Sequence, residues 1–404
     1  MLNVKTPDEV FTIIRERFLP LERTETVPPE KACGRTGARE IVSIACVPDF
    51  DRSTVDGYAL RSRDTFGCSD ALPAMLRCVG AIEMGKQPTV SVKADTCAAI
   101  PTGGALPDGA DAVVMLEYAE DFGDGTVGIG RPAAPGMNVI YRGDDLCAGQ
   151  KLFEKGHVFS VRDIGVLAAA GVASVQVAAR PSVGVVSTGD ELVPVGSVPA
   201  FSEVRDVNGA MLTALSEELG CTATYYGIVR DDAAALRTVL ERATAENDIV
   251  LLSGGSSVGE KDAAYRVLHD LGTVLFHGIA MKPGKPTLLA EVSDKPVLGL
   301  PGHPGAAYFV AKLLLPHVLR ALTGRTSEAF TVPARLTAPV SANHGRAQFT
   351  AVKLFMRDGT LFAAPIHAKS GLIRALSDSD GYFEIPPEAE GVAAGETVPV
   401  TRYD

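Results

Sequence analysis

Tryptophan is absent from this chain, and aromatic residues make up only 6% of its 404 positions. Aliphatic content is nevertheless high, so the composition is that of a soluble globular enzyme rather than a disordered or fibrous protein. There is no block of lysine and arginine of the kind that marks a nucleic-acid footprint. The formal net charge is −11, so an anionic substrate would depend on a few local lysines and arginines. No CxxC pair occurs among the seven scattered cysteines, Cys33, Cys46, Cys68, Cys78, Cys97, Cys147 and Cys221. They read as reduced thiols of a cytoplasmic protein. The opening MLNVKTPDEVF has no basic region followed by an apolar stretch, which predicts no secretory leader. No apolar stretch reads as long enough to span a bilayer, so neither a membrane nor a nucleic acid is an expected partner. Internal repeats and low-complexity segments are also lacking.

What is present is a chain long enough for two to four cores. Thr6-Pro7-Asp8-Glu9 reads as a helix start with a capping box, and Val10, Ile13, Ile14 and Phe18 supply its apolar stripe. Between about 41 and 140, short β-branched runs alternate with Gly, Pro and Asp turns, an irregular β domain inserted after the first helix. A second helix, opened by Ser160 and closed by Gly171, is predicted to pack with the first. From 181 the order becomes strand, helix, strand, helix, with Asn208 as the predicted cap of NGAMLTALSEEL. That alternation predicts a doubly wound α/β domain with a largely parallel sheet. After about Ser327 short strands return as a small β-barrel-like domain. The expected division is 1–40 with 141–180 (helical and linker), 41–140 (inserted β), 181–326 (α/β) and 327–404 (C-terminal β).

Four motifs follow strands of the α/β region, where open sheets bind ligands at the carboxyl ends of their strands. In Ser187-Thr188-Gly189-Asp190-Glu191, Glu191 is placed to ligate Mg²⁺ or relay a proton; a turn with solvated acids is the competing reading. In SGGSSVGEKD, Ser253, Gly254, Gly255 and Ser257 offer backbone and hydroxyl donors to an oxyanion ahead of a helix. Asp262 there is either a metal ligand or a plain N-cap. The spacing is neither a P-loop nor a dinucleotide fingerprint. Lys282-Pro283-Gly284-Lys285-Pro286 sets two point charges on a stiff turn suited to oxyanions. Leu300-Pro301-Gly302-His303-Pro304 is a rigid turn before a helix, and its lone histidine reads first as structural. Asp56, in STVDGYA, and Asp145, in YRGDD, lie in or at the end of the inserted β region, and periodicity alone does not bring them to the sheet.

Taken together, STVDGYA, PTGGALPDGADAVVMLE, RGDDL, STGDEL, GIVRDD, SGGSSVGEKD, KPGKPT, LPGHP, GRAQF and KSGLIRAL…DGYFEIP resemble the molybdenum-insertion proteins of molybdenum-cofactor synthesis, bacterial MoeA and the gephyrin E domain. The resemblance runs over nearly the whole chain. It implies a multidomain homodimer whose central domain is similar to MoaB and Mog. It further implies an active site where the α/β domain of one chain faces the inserted β domain of its partner. The implied reaction takes adenylyl-molybdopterin and molybdate, with Mg²⁺, and releases AMP. The implied catalytic positions are Asp56, Thr102, Asp145, Glu191, Asp231 and Asp262, with Glu191 and Asp262 holding Mg²⁺. Substrate contacts would come from Ser253, Gly254, Gly255, Ser257, Lys282, Lys285, Pro301, Pro304, Arg346 and Ser370. A molybdopterin adenylyltransferase and a molybdoenzyme or its chaperone are the implied partners. Two departures stand out: His303 and Ala306 occupy positions where the family commonly has Asn and Ser, and Gly143-Asp144-Asp145 replaces Gly-Glu-Asp. They leave tungstate open as the oxyanion. A gephyrin-like scaffold and a pterin adenylyltransferase, similar to 181–325 alone, are the other readings.

Overall fold

The computed structural model describes residues 4–254, 263–326, 330–342, 344–366 and 373–403. Helix α1, Pro7–Arg17, starts with the expected reciprocal cap: the Thr6 side chain accepts from the Glu9 N–H and the Glu9 carboxylate accepts from the Thr6 N–H. Helix α2, Val161–Ala169, has a similar box between Ser160 and Asp163. The two do not pack together as expected. The α1 stripe, Val10, Ile14 and Phe18, is buried with the apolar side chains of the α/β unit, and Phe11 stacks on His317 with ring centroids 3.9 Å apart. Leu167 of α2 instead joins Ala32, Ile41, Phe153, Phe159, Val175 and Val177 in a separate small core. An amphipathic stripe says that a face is buried, not against what.

The α/β unit holds a six-stranded sheet in the order Thr222–Val229, Ser182–Thr188, Ile249–Ser253, Lys295–Leu300, Leu288–Val292, Thr273–His277. Its first four strands are mutually parallel. Successive residues serve opposite faces: Val185, Leu251 and Leu298 enter one core, and Val186, Leu252 and Val297 the other. Near-continuous apolar strands are what a sheet covered on both sides requires. Helix α3 (Val207–Glu218) covers one face with α1, and α4 (Ala233–Glu246) and α5 (Ala263–Leu271) cover the other. The last two strands run antiparallel to their neighbours. The reversal follows from Ser293 and Asp294, both at positive φ, which form the two-residue hairpin turn between Leu288–Val292 and Lys295–Leu300.

Helix α6, Pro304–Thr323, is twenty residues long and apolar enough by length and composition to cross a bilayer, contrary to the sequence expectation. Here Phe309, Val310, Leu314, Leu315, Val318 and Leu322 are packed into the α/β core, and they account for its apolar character.

The inserted region forms a second six-stranded sheet, ordered Ala112–Met115, Gly57–Leu60, Thr96–Ile100, Ala74–Ala81, Thr126–Ile129, Ala119–Asp121. In the C-terminal region five strands, Thr331–Leu336, Ala347–Arg357, Thr360–Pro365, Gly381–Ile385 and Thr397–Arg402, pair in a closed circuit, because Ala347–Arg357 bonds to both Thr360–Pro365 and Gly381–Ile385. Met281–Lys282 of the α/β unit adds to this barrel in parallel, Met281 opposite Ala347 and Lys282 opposite Gln348.

Candidate functional site

Three loop clusters carry the residues singled out from the sequence. The first lies at one corner of the inserted sheet. Here Ser53 exchanges backbone bonds with the 103–104 turn: its N–H donates to the Gly104 carbonyl and its carbonyl accepts from Gly103. Asp56 Oδ1 accepts the Thr102 N–H at 2.8 Å. The following Gly57 is required, since a Cβ there would sit 1.9 Å from the Val114 carbonyl oxygen. The strand Val139–Ile140 pairs with Arg52–Ser53, which brings the 141–146 turn alongside. Asp145 is fixed by its N–H to the Val47 carbonyl, 3.0 Å, and the Asp144 carboxylate accepts the Tyr141 N–H, 2.7 Å. Asp56, Thr102 and Asp145, distant in sequence, thus sit on neighbouring loops of one chain, and all three side chains are exposed.

The second cluster lies at the carboxyl ends of the parallel strands. Thr188 Oγ1 donates to Asp231 Oδ1 at 2.7 Å, and the Asp231 N–H reaches Asp190 Oδ1 at 3.3 Å. The Glu191 carboxylate folds over Gly189, within 3.1 Å of where a Cβ would stand. Gly254 has φ +94°, and a Cβ on it would lie 2.0 Å from the Thr188 carbonyl oxygen, so the glycine loop can start here only with glycine. Asp190, Glu191 and Asp231 are hard oxygen donors on adjoining loops. They suit Mg²⁺, which takes one or two protein carboxylates and completes its shell with water and phosphate. Among the described residues no ready-made group of three acidic, histidine or cysteine ligands exists.

Asn208 is the residue the sequence misplaced. Asp206 caps α3, its carboxylate accepting the Gly209 N–H at 2.9 Å. Asn208 sits inside the helix, only 7% exposed, and its amide donates to Ser253 Oγ (2.7 Å) and to the Gly302 carbonyl (2.8 Å). One buried amide therefore ties the SGG loop to the LPGHP turn. Tyr225 braces the cap by donating to the other Asp206 oxygen, and burial together with that carboxylate pushes the Tyr225 hydroxyl well above its ordinary range. Asp and Asn two residues apart are both good caps, so the sequence could not choose between them.

The third cluster surrounds a cleft of about 700 Å³ between the α/β unit and the barrel, lined in part by Lys282, Lys285, Pro301, His303, Ala306 and Arg346. Pro304 begins α6 directly beside it. The parallel pairing of Lys282 with Gln348 carries Arg346 to the same wall. The cleft floor is aromatic, with Phe309 and Phe349 at 5.2 Å between centroids. Gln348 donates to the Ser341 carbonyl at 3.0 Å, while its buried Oε1 has no partner, an acceptor at the cleft wall that sequence reasoning missed. Gly255, Ser257, Asp262 and Ser370, also predicted as site residues, lie outside the described residues.

The chain matches three family models in order: the MoeA N-terminal region (domain I and II) over residues 5–171, the "Probable molybdopterin binding domain" over 184–321, and the MoeA C-terminal region (domain IV) over 333–403. It is 31% identical to the molybdopterin molybdenumtransferase of Bacillus subtilis, covering 99% of this chain and 95% of that protein. It is 32% identical to the enzyme of the same name from Staphylococcus aureus, covering 93% and 90%. The crystal structure of the molybdopterin biosynthesis MoeA protein from Pyrococcus horikoshii OT3 superposes with a TM-score of 0.88 at 30% identity, over 99% of this chain and all of that one. The three matches run in order along nearly the whole chain, and the chain belongs to the MoeA family of molybdopterin biosynthesis proteins.

Proposed function

We propose that this chain is a molybdopterin molybdenumtransferase of molybdenum-cofactor biosynthesis, using adenylyl-molybdopterin and molybdate and releasing AMP. The observation that carries the proposal is the convergence of Lys282, Lys285 and Arg346 on one cleft beside the carboxyl end of the α/β sheet. In a chain of net charge −11, such a cluster of cations is a local device for an oxyanion or phosphate. Its aromatic floor offers an apolar surface to a fused ring.

Lys282, Lys285 and Arg346 would bind and orient the anionic groups. The start of the glycine loop, with Ser253 and Gly254, would present donors to a phosphate oxygen. Glu191, with Asp262 or Asp231, would hold Mg²⁺, which when bound offsets phosphoanhydride charge. Asp56 and Asp145 would orient the attacking oxygen and take its proton. We place the reaction in the cytoplasm, in a homodimer in which the Asp56–Thr102 corner of one copy closes on the sheet edge of the other. A molybdopterin adenylyltransferase upstream and a molybdoenzyme or its chaperone downstream complete the proposed sequence.

The direction of the chemistry tests this reading. Incubated with adenylyl-molybdopterin, Mg²⁺ and molybdate, the protein should yield AMP and metal-loaded pterin. Incubated with ATP and metal-free pterin, it should yield no adenylylated product. The reverse pattern would identify a pterin adenylyltransferase instead.

A further inference from the structure

Two cysteines that the proposed chemistry does not use flank the Asp145 turn. Val47 and Leu146 exchange both backbone bonds in an antiparallel bridge, Val47 N–H to Leu146 O at 2.8 Å and Leu146 N–H to Val47 O at 3.1 Å. Lys151 pairs with Val42 in the same register, with bends and turns between the two pairings. Cys46 and Cys147 are therefore cross-strand neighbours at the position next to a doubly bonded pair. Cα atoms at such a position lie about 4.5 Å apart, inside the range of about 4.4–6.8 Å that a disulfide spans. The side chains agree with this placement: a Cβ on Gly143 would meet Cys147 Sγ at 3.3 Å and Cys46 Cβ at 3.8 Å, so both cysteines point to one side, over Gly143. Cys147 is exposed and Cys46 half-buried.

A second cross-strand pair provides a contrast. Cys78 lies opposite Cys97 in the inserted sheet. Cys97 is fully buried, and burial pushes its thiol up to about 12, which leaves it protonated and inert.

We propose that Cys46 and Cys147 form a reversible redox pair that closes to a disulfide under peroxide and fixes the turn bearing Asp144 and Asp145. One thiol ionises and its thiolate attacks a peroxide oxygen, breaking the O–O bond to give a sulfenic acid and hydroxide, which takes up the thiol's proton as water. The second thiol ionises and its thiolate attacks that sulfur, forming the S–S bond and displacing hydroxide, which leaves as a second water with that thiol's proton. Overall two thiols and one hydrogen peroxide become one disulfide and two waters, and a small dithiol reverses the change. The new bond takes Cys147 Sγ away from the Gly143 carbonyl, which it meets at 3.4 Å in the thiol form. It also staples the segment that holds Asp145 to the segment carrying Val47. Formation of this disulfide can be read without the proposed reaction.

Trypsin separates the two cysteines cleanly, into Glu40–Arg52 and Gly143–Lys151. After mild hydrogen peroxide treatment of the full chain and alkylation, these two peptides should appear as one linked species, lost on reduction. Thiol titration should show two of the seven thiols consumed. Cys46→Ser and Cys147→Ser should each abolish the linked species, leaving the thiol form's fold and circular dichroism unchanged. Recovery of both peptides separately alkylated under conditions that oxidise other thiols would overturn the proposal. Cys147 carried to sulfinic acid without pairing, or a Cys78–Cys97 link in its place, would overturn it equally.

Discussion

The Asp56 carboxylate accepts the backbone N–H of Thr102 at 2.8 Å, joining two motifs that lie far apart in the chain. The bond assigns Asp56 two separable properties, an acceptor that shapes the 101–104 turn and a negative charge presented to solvent. Asp56→Asn keeps the acceptor and removes the charge; Asp56→Ala removes both. Loss of one preorganised catalytic group costs about 10²–10³ in rate. Both variants are expected to fall by that order in AMP release, with Asp56→Asn retaining wild-type stability. Normal turnover by Asp56→Asn would restrict the residue to a structural role.

Asn208 joins the start of the glycine loop to the LPGHP turn. Asn208→Ala removes the donor to Ser253 Oγ and to the Gly302 carbonyl together. An unpaired buried polar group costs about 1–3 kcal/mol. The urea midpoint should drop accordingly, and KM for the adenylylated substrate should rise as the loops separate. Unchanged stability with unchanged KM would contradict this role.

The α1–α6 contact gives the stability a pH signature. Burial and the adjacent Arg320 push His317 down to about 4, against 6.5 for an unperturbed histidine. The folded state therefore binds fewer protons than the unfolded chain between those values. Its contribution is fully present above about pH 6.5, is lost as pH falls towards 4, and amounts to about 3 kcal/mol over that window. His317→Phe keeps the stack on Phe11 and removes the titration. The wild type should lose more stability than this variant between pH 7 and pH 4.5 in urea unfolding; parallel profiles would contradict the assignment.

These particulars show what the sequence carries. The capping box at Thr6, the strands before each glycine turn and the five barrel strands were legible because each is a local signal, set by a few adjacent residues. The α1 contact with α6 was not, because a helix stripe does not name its partner. Nor was the pairing of Lys282 with Gln348, which brings Arg346 to the lysines through a strand addition between the α/β unit and the barrel. The corner formed by Asp56, Thr102 and Asp145 depends on the pairing of Arg52–Ser53 with Val139–Ile140, a long-range contact that no local signal marks.

The proposed dimer makes each site depend on two chains. Asp56→Ala and Lys285→Ala disable opposite sides of the same site. Mixed after unfolding and refolded together, two inactive proteins should recover activity, because a mixed dimer contains one site with neither substitution. About a quarter of wild-type turnover is expected from random pairing of chains, following the two-fold symmetry of such an assembly. No recovery from a mixture shown to exchange subunits would place the site within one chain.

The most direct test of the account is the rate of AMP release from adenylyl-molybdopterin with Mg²⁺, compared for molybdate, tungstate and no oxyanion, in the wild type and in Lys285→Ala. The account predicts release stimulated by an oxyanion in the wild type, with the better anion naming the metal inserted, and loss of that stimulation in the variant. Pterin bound by an intact protein with no AMP released under any of the three conditions would contradict it.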